Sequence, residues 1–273
     1  MTTKHDLPFK SAPLWIGTLF MVVLVAFWPG YFGVLKEVTG IVHFHSLTAV
    51  LWMLLLIAQS HSIHRGWRQW HRRCGIASMF LFPLFLSSSL LIINNGNAAP
   101  TAFNQSTGGR LALFDLLSVV GFALFYFQAL GRRQSITLHA GFMLATALFL
   151  IYPVAFRLLP RFVPMLSIAG PEDFENVAIS VYVSSGATVA ISTWVATRLG
   201  RDGLPFIQVA LLIGFMAIGL ATFTHSDWWF EFVATFGRLP NATVALLGLV
   251  VGVFLAVTGW RIGANENSRS RPE

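Results

Sequence analysis

The sequence predicts an all-α protein: a polytopic transmembrane helix bundle of about eight spans, with both termini cytoplasmic. Three observations predict it. Of 273 residues, 55% are hydrophobic and 11% charged, against roughly 25% charged in soluble domains, and the mean hydropathy is +0.69. Uncharged apolar runs recur along the whole chain, each about the 20 residues that an α-helix needs to cross the hydrocarbon core. These runs are apolar on all sides and lack the alternation over about ten residues that marks a membrane β-barrel. Helices, which satisfy their own backbone hydrogen bonds in lipid, remain.

The first span lies near 13–32. The bulky Val23–Trp28 stretch stands where a signal-peptide cleavage site needs small residues, so this span reads as a retained helix. The second, near 41–60, opens on His43 and His45, ends at Gln59, and runs into the basic loop HSIHRGWRQWHRR. The third, near 74–93, starts just after His71-Arg72-Arg73. The fourth, near 110–130, carries Asp115, the one acid inside an expected span, and leaves through GRRQSIT. The fifth, near 138–157, opens at His139 and contains Pro153, which is expected to kink it. The last three lie near 177–198, 204–223 and 242–260, with RLGRDG between the sixth and seventh. The organisation expected is a His-bearing bundle over 1–160, spans six to eight over 161–262, and a disordered cytoplasmic tail over 263–273.

Short basic loops follow spans two, four and six, while longer, weakly charged ones follow three, five and seven. On that alternation 13 of the 18 Lys and Arg fall on one side and 5 (Lys36, Arg110, Arg157, Arg161, Arg238) on the other. The positive-inside rule makes the rich side cytoplasmic and the location a bacterial inner membrane. Trp15, Trp28, Trp67, Trp70, Trp194, Trp228, Trp229 and Trp260 near span ends read as an aromatic belt. The net charge of +7 then reports topology, not nucleic-acid binding. The lone Cys74 excludes an internal disulfide and any cysteine-based zinc or iron–sulfur centre.

Eight histidines are the main chemical signal. The span end IAQSHSIHRGWRQWHRRCG and the later YFQALGRRQSITLHAG align Gln59 with Gln128 and bring His71 within one position of His139. This would be a parallel two-helix repeat. Two such histidines on different helices suit axial ligation of haem b, with Arg72, Arg73, Arg132 and Arg133 near enough in sequence to bind propionates. Basic loops and interfacial histidines also follow from topology alone, so an ordinary membrane interface is the competing reading of the same residues. On the other side, His43 and His45, with His225, Asp115 or Asp227, form a candidate site for a divalent metal. His43 and His45 are two apart, about 200° around a helix, unless the helix starts between them. His43 and His61 lie roughly 27 Å apart along a helix, so the histidines do not gather into one di-metal centre. Asp115 is expected to reach the interface or pair with Arg110.

Phe27-Trp28-Pro29-Gly30-Tyr31-Phe32, His43-x-His45, Trp52, Gln59 and His71-Arg72-Arg73-x-Gly75 together resemble a family of uncharacterised bacterial multi-spanning proteins. The similarity covers about the first 150 residues, and His139-Ala140-Gly141-Phe142-Met143 is similar to a later segment of that family. Trp70 and Cys74 stand where the family has Leu, and the Lys-Arg after the second His is missing. A more distant resemblance is to small four-helix proteins of oxidase assembly and b-type cytochromes. The resemblance implies the architecture and points to His43, His45, His71 and His139, but it implies no reaction.

The function expected is a haem- or metal-binding membrane protein in electron transfer or respiratory-complex assembly. Its partners would be the lipid bilayer and respiratory-chain proteins or a quinone, and not nucleic acid. Rival readings are a proton-coupled transporter, with His43, His45 and Asp115 at its mouth, and a cofactor-free assembly or structural protein. Enzymatic activity is left open, since no phosphate loop, nucleophile elbow or H-E-x-x-H motif is present.

Overall fold

A computed structural model describes residues 7–269, with side chains through 265. His5 lies outside the described residues. Among these residues there is no strand, and ten α-helices follow in order. They are α1 (Ala12–Phe27), α2 (Gly40–Arg65), α3 (Arg68–Gly96), α4 (Gly109–Gly131), α5 (Ile136–Leu148), α6 (Ile151–Phe162), α7 (Glu175–Leu199), α8 (Leu204–Ala221), α9 (Asp227–Gly237) and α10 (Asn241–Arg269).

Each expected apolar run meets a helix, but the number of crossing-length elements differs. Six helical stretches are long and apolar enough to span a membrane: Gly40–Arg65, Arg68–Gly96, Asn104–Gly131, Ile136–Phe162, Pro171–His225 and Asn241–Asn265. The difference from eight has two causes. Pro171–His225 contains both α7 and α8, which turn at Gly200 (φ 57°), a left-handed position that suits glycine. Helix α1 is apolar but has 16 residues and so falls below the length of those six, while the apolar run expected near 13–32 continues past its end at Phe27. Large apolar side chains such as Phe80, Leu211 and Ile218 face outward, as lipid-facing positions do.

Local chemistry accounts for the helix ends. Gly66 (φ 78°) caps α2 by donating its N–H to Ile63 O and Ser62 O, with His64 and Arg65 in the last turn where cations suit the helix dipole. Ser135 caps α5, its side chain accepting from Leu138 N–H. The break between α5 and α6 falls at Phe149–Leu150. Pro153 has no N–H to donate, and its ring opposes the carbonyl four residues back, at Phe149. Helix α10 continues to Arg269, into the 263–273 stretch expected to be irregular, because ANENSR has no breaker before Pro272. Residues 270–273 lie outside those described.

Helix α4 sits at the centre, touching α3, α5, α8, α9 and α10. One core runs from Ala12 and Ile16 to Ala256, so the later helices share it with the earlier ones. Helix α10 approaches closely through two glycine pairs. A Cβ at Gly248 would lie 2.5 Å from Ser87 Cα, and one at Gly252 would lie 2.5 Å from Pro83 Cα. Further along, a Cβ at Gly259 would lie 3.0 Å from Phe127 O, and Gly263 abuts Leu130 O. Small residues four apart let membrane helices meet backbone to backbone. Helix α9 is short and amphipathic. Trp229 is buried and donates its indole N–H to Gly109 O at 2.9 Å, while Trp228 is exposed.

Candidate functional site: two cavities and an aromatic layer

His71 lies in the first turns of α3 and His139 in the first turn of α5. Both helices begin at the basic loops, so this is the basic end of the bundle. The two imidazoles meet there, with ring centroids 6.5 Å apart and planes at 81°. Each ring is held the same way. His71 Nδ1–H donates to Gln59 O at 3.2 Å, and His139 Nδ1–H donates to Ala129 O at 2.8 Å. A carbonyl only accepts, so the proton must sit on Nδ1, which leaves each Nε2 with a lone pair. In both halves of the expected repeat, the end of one helix therefore orients the histidine that opens the next.

A cavity of about 190 Å³ adjoins the pair. Leu56, Gln59 and Ile63 of α2 and Met143 and Leu144 of α5 line it, with Arg133 at its rim and Leu7–Phe9 across its mouth. His64 holds that covering segment by a contact of Nε2 with Pro8 O at 3.1 Å, and the Phe9 ring packs against Phe206 at 6.0 Å.

A second cavity of about 480 Å³ lies toward the far end. His45 of α2, Asp115 and Ser118 of α4, and Tyr152 and Arg157 of α6 reach it. Tyr152 donates its hydroxyl proton to Asp115 Oδ1. The Arg157 guanidinium lies 4.2 Å from the Phe27 ring centre and 4.3 Å from that of Phe156, and Nη1 donates to Pro153 O at 2.7 Å. His45 stacks on Phe85 and has Ser88 Oγ 3.5 Å from Nδ1.

Trp52 separates the two cavities. It is 2% exposed and packs on Phe82, Phe85, Phe122 and Tyr126, with its indole N–H donating to Thr146 Oγ1 at 3.2 Å. Trp52 and Thr146 line the larger cavity, whereas Leu56 and Met143, about one turn away on the same helices, line the smaller.

Of the residues expected at a site, the structure brings His71 and His139 together. Arg72 and Arg73 are exposed and line neither cavity, and Arg73 lies over Trp70. One and two residues past His71, they lie about 100° and 200° around α3 from it and so face away from the pair. Arg133, from the second basic loop, is the arginine that lines the smaller cavity. His43 and His45 diverge. His43 Nδ1 meets Tyr31 Oη at 3.1 Å, while His45 faces α3, as their angular separation on a regular helix requires. Among the described residues no group of three or more His, Cys, Asp or Glu is placed to hold a metal ion, so His43 and His45 do not join His225, Asp115 or Asp227 in a centre. Arg110 pairs with Glu175 at 2.9 Å and not with Asp115, because Asp115 points to the cavity and Tyr152. Sequence reading missed Tyr152 and Arg157. Arg157 counts among the loop charges by position, and the signal that finds it is its place one turn beyond Pro153, where the helix has just restarted.

Comparison with protein-family models, with curated proteins and with solved structures finds no match to this chain. The length and composition of its helices define the class, a multi-pass helical membrane protein.

Proposed function

We propose that this chain is a bacterial inner-membrane protein of eight crossings, with both termini cytoplasmic, that binds haem b between His71 and His139 and serves electron transfer or respiratory-complex assembly. One observation carries the reading, the geometry of the histidine pair. A metal–imidazole bond of about 2 Å on each side of one ion puts the ring centroids roughly 6 Å apart, close to the 6.5 Å found. Both Nδ1 atoms are tied to backbone carbonyls, the arrangement that orients metal-bound histidines and raises their donor strength.

The surroundings fit the group. The walls are largely apolar and include Arg133, whose guanidinium donates to Leu130 O and Trp260 O. The cavity lies between α2 and α5, which scarcely touch, and Leu7–Phe9 rather than a helix closes it. At about 190 Å³ the cavity is smaller than a haem, so admitting the ring requires Leu7–Phe9 to move aside. Bound there, haem supplies a one-electron iron couple. The protein's part is to hold the imidazoles, keep water out and set the polarity around them.

Met143 favours a second reading. It lies one turn beyond His139 and lines the same cavity. Two imidazoles and a thioether are a soft donor set suited to monovalent copper, and 190 Å³ is ample for an ion. Haem and copper content per chain, measured on the purified protein and on His71→Ala and His139→Ala, separates the two readings. One haem per chain that is lost in both variants supports the first, and copper lost in both supports the second. Neither group in the unsubstituted protein removes both.

A further inference from the structure

We propose that the larger cavity binds the ring of a lipid-soluble quinone or quinol. Polar groups from three helices converge there and satisfy one another only in part. Asp115 accepts from Tyr152, but among the described residues Arg157 makes no ion pair within 4 Å. It uses one donor on Pro153 O, and a guanidinium has five N–H donors. His45 Nε2 likewise has no partner among the described residues. The cavity therefore holds an acceptor in Asp115, donors in Arg157, and an imidazole able to act as either.

The charges of Asp115 and Arg157 cancel. A neutral head with both acceptor and donor oxygens fits better than a carboxylate or phosphate, which Asp115 would repel, or an amine, which Arg157 would repel. The remaining walls specify the rest of the ligand. Phe85 and Phe122, 4.5 Å apart between ring centres, line it with Trp52, Phe149 and Val119, a surface for a flat ring and an apolar tail. At about 480 Å³ the cavity lies in the ~300–1,000 Å³ range of small-molecule sites, which are mostly apolar with a few placed polar groups. A benzoquinone or naphthoquinone with an isoprenoid tail is neutral, membrane-soluble and carries its oxygens on a flat ring. The aromatic layer at Trp52 would then lie between this ligand and the histidine-side cavity. The site itself rests on its own residues and needs no haem.

The test is equilibrium dialysis of a decyl-substituted benzoquinone against purified full-length protein, with a detergent-matched blank. Saturable binding near one per chain is expected, at least tenfold weaker in Arg157→Gln and Asp115→Asn and unchanged in the lipid-facing Leu211→Ala. An azido-quinone on the unsubstituted protein, expected to label the far-end turns of α2 and α6, decides the matter if the variants fail to fold. No saturable binding, equal affinity in folded variants, labelling spread over lipid-facing helices, or displacement by laurate at lower concentration would each overturn the proposal. The readout is bound quinone, so failure here is distinct from absence of haem.

Discussion

Gly252→Ala tests how the helices that carry the histidine pair are held. The added Cβ would sit 2.5 Å from Pro83 Cα and 2.9 Å from Pro83 Cβ, where ordinary carbon contacts are about 3.5–4.0 Å. Both obstacles belong to a backbone and a rigid ring, so α10 and α3 must part by roughly 1 Å or more. Overpacking of this kind costs about 1–3 kcal/mol, and the better helix propensity of alanine returns at most about 1 kcal/mol. A net loss of up to about 2 kcal/mol follows. Gly186→Ala and Gly214→Ala are the matched controls. Both positions are helical, and neither new Cβ would meet any atom within 4 Å, so these variants keep only the propensity gain. Unfolding in mixed micelles with rising dodecyl sulfate, followed by far-UV circular dichroism, reads the difference. A lower midpoint for Gly252→Ala and unchanged or higher midpoints for the controls are expected. A Gly252→Ala midpoint equal to that of Gly186→Ala would refute the close approach of α10 to α3.

Trp52→Phe keeps a ring in the aromatic layer but drops the bond to Thr146, which should cost about 1 kcal/mol. Trp52→Ala should cost about 3–5 kcal/mol, and the same micelle titration checks both. Glu175→Gln leaves the 7%-exposed Arg110 without its anion. Since Glu175 itself is largely exposed, the loss should be about 1 kcal/mol and should shrink when the titration is repeated in high salt. In a Cys74→Ser background, Glu172→Cys should react with a membrane-impermeant maleimide on intact spheroplasts, and Gln134→Cys only after lysis. The reverse pattern would invert the proposed topology. Arg72→Gln and Arg73→Gln should leave cofactor content unchanged, because neither side chain lines the cavity beside the histidines.

Much of the architecture was legible because hydrophobic length is a local property. The apolar runs and basic loops place α4, α7 and α8 to within two residues at both ends and the starts of α2 and α10 to within one, and Pro153 foretells the α5–α6 break. The His71–His139 pairing was legible for a related reason, that two similar helix–loop–helix units put two similar residues at equivalent positions. Features that depend on tertiary contact were hidden. Asp115 stands out in sequence as an acid in a span, but nothing local distinguishes Tyr152 from Arg110 as its partner. Arg157 looks like a loop charge until α6, which starts at Ile151, turns it toward α1. The glycine pairs of α10 are visible as G-x-x-x-G spacing, yet only the fold shows that they meet Pro83 and Ser87. The amphipathic α9 reads in sequence as part of a connection because its 11 residues are too few to cross a bilayer.

The central claim is that His71 and His139 together hold haem b. The measurement that bears on it most directly is the reduced-minus-oxidised absorption spectrum of the full-length protein, expressed with ample haem and purified in mild detergent. The account predicts Soret and α bands of a six-coordinate b-type haem, absent from His71→Ala and from His139→Ala but intact in His43→Ala. A protein that folds and elutes as one species yet shows no such bands, or one whose bands survive both substitutions, would contradict it.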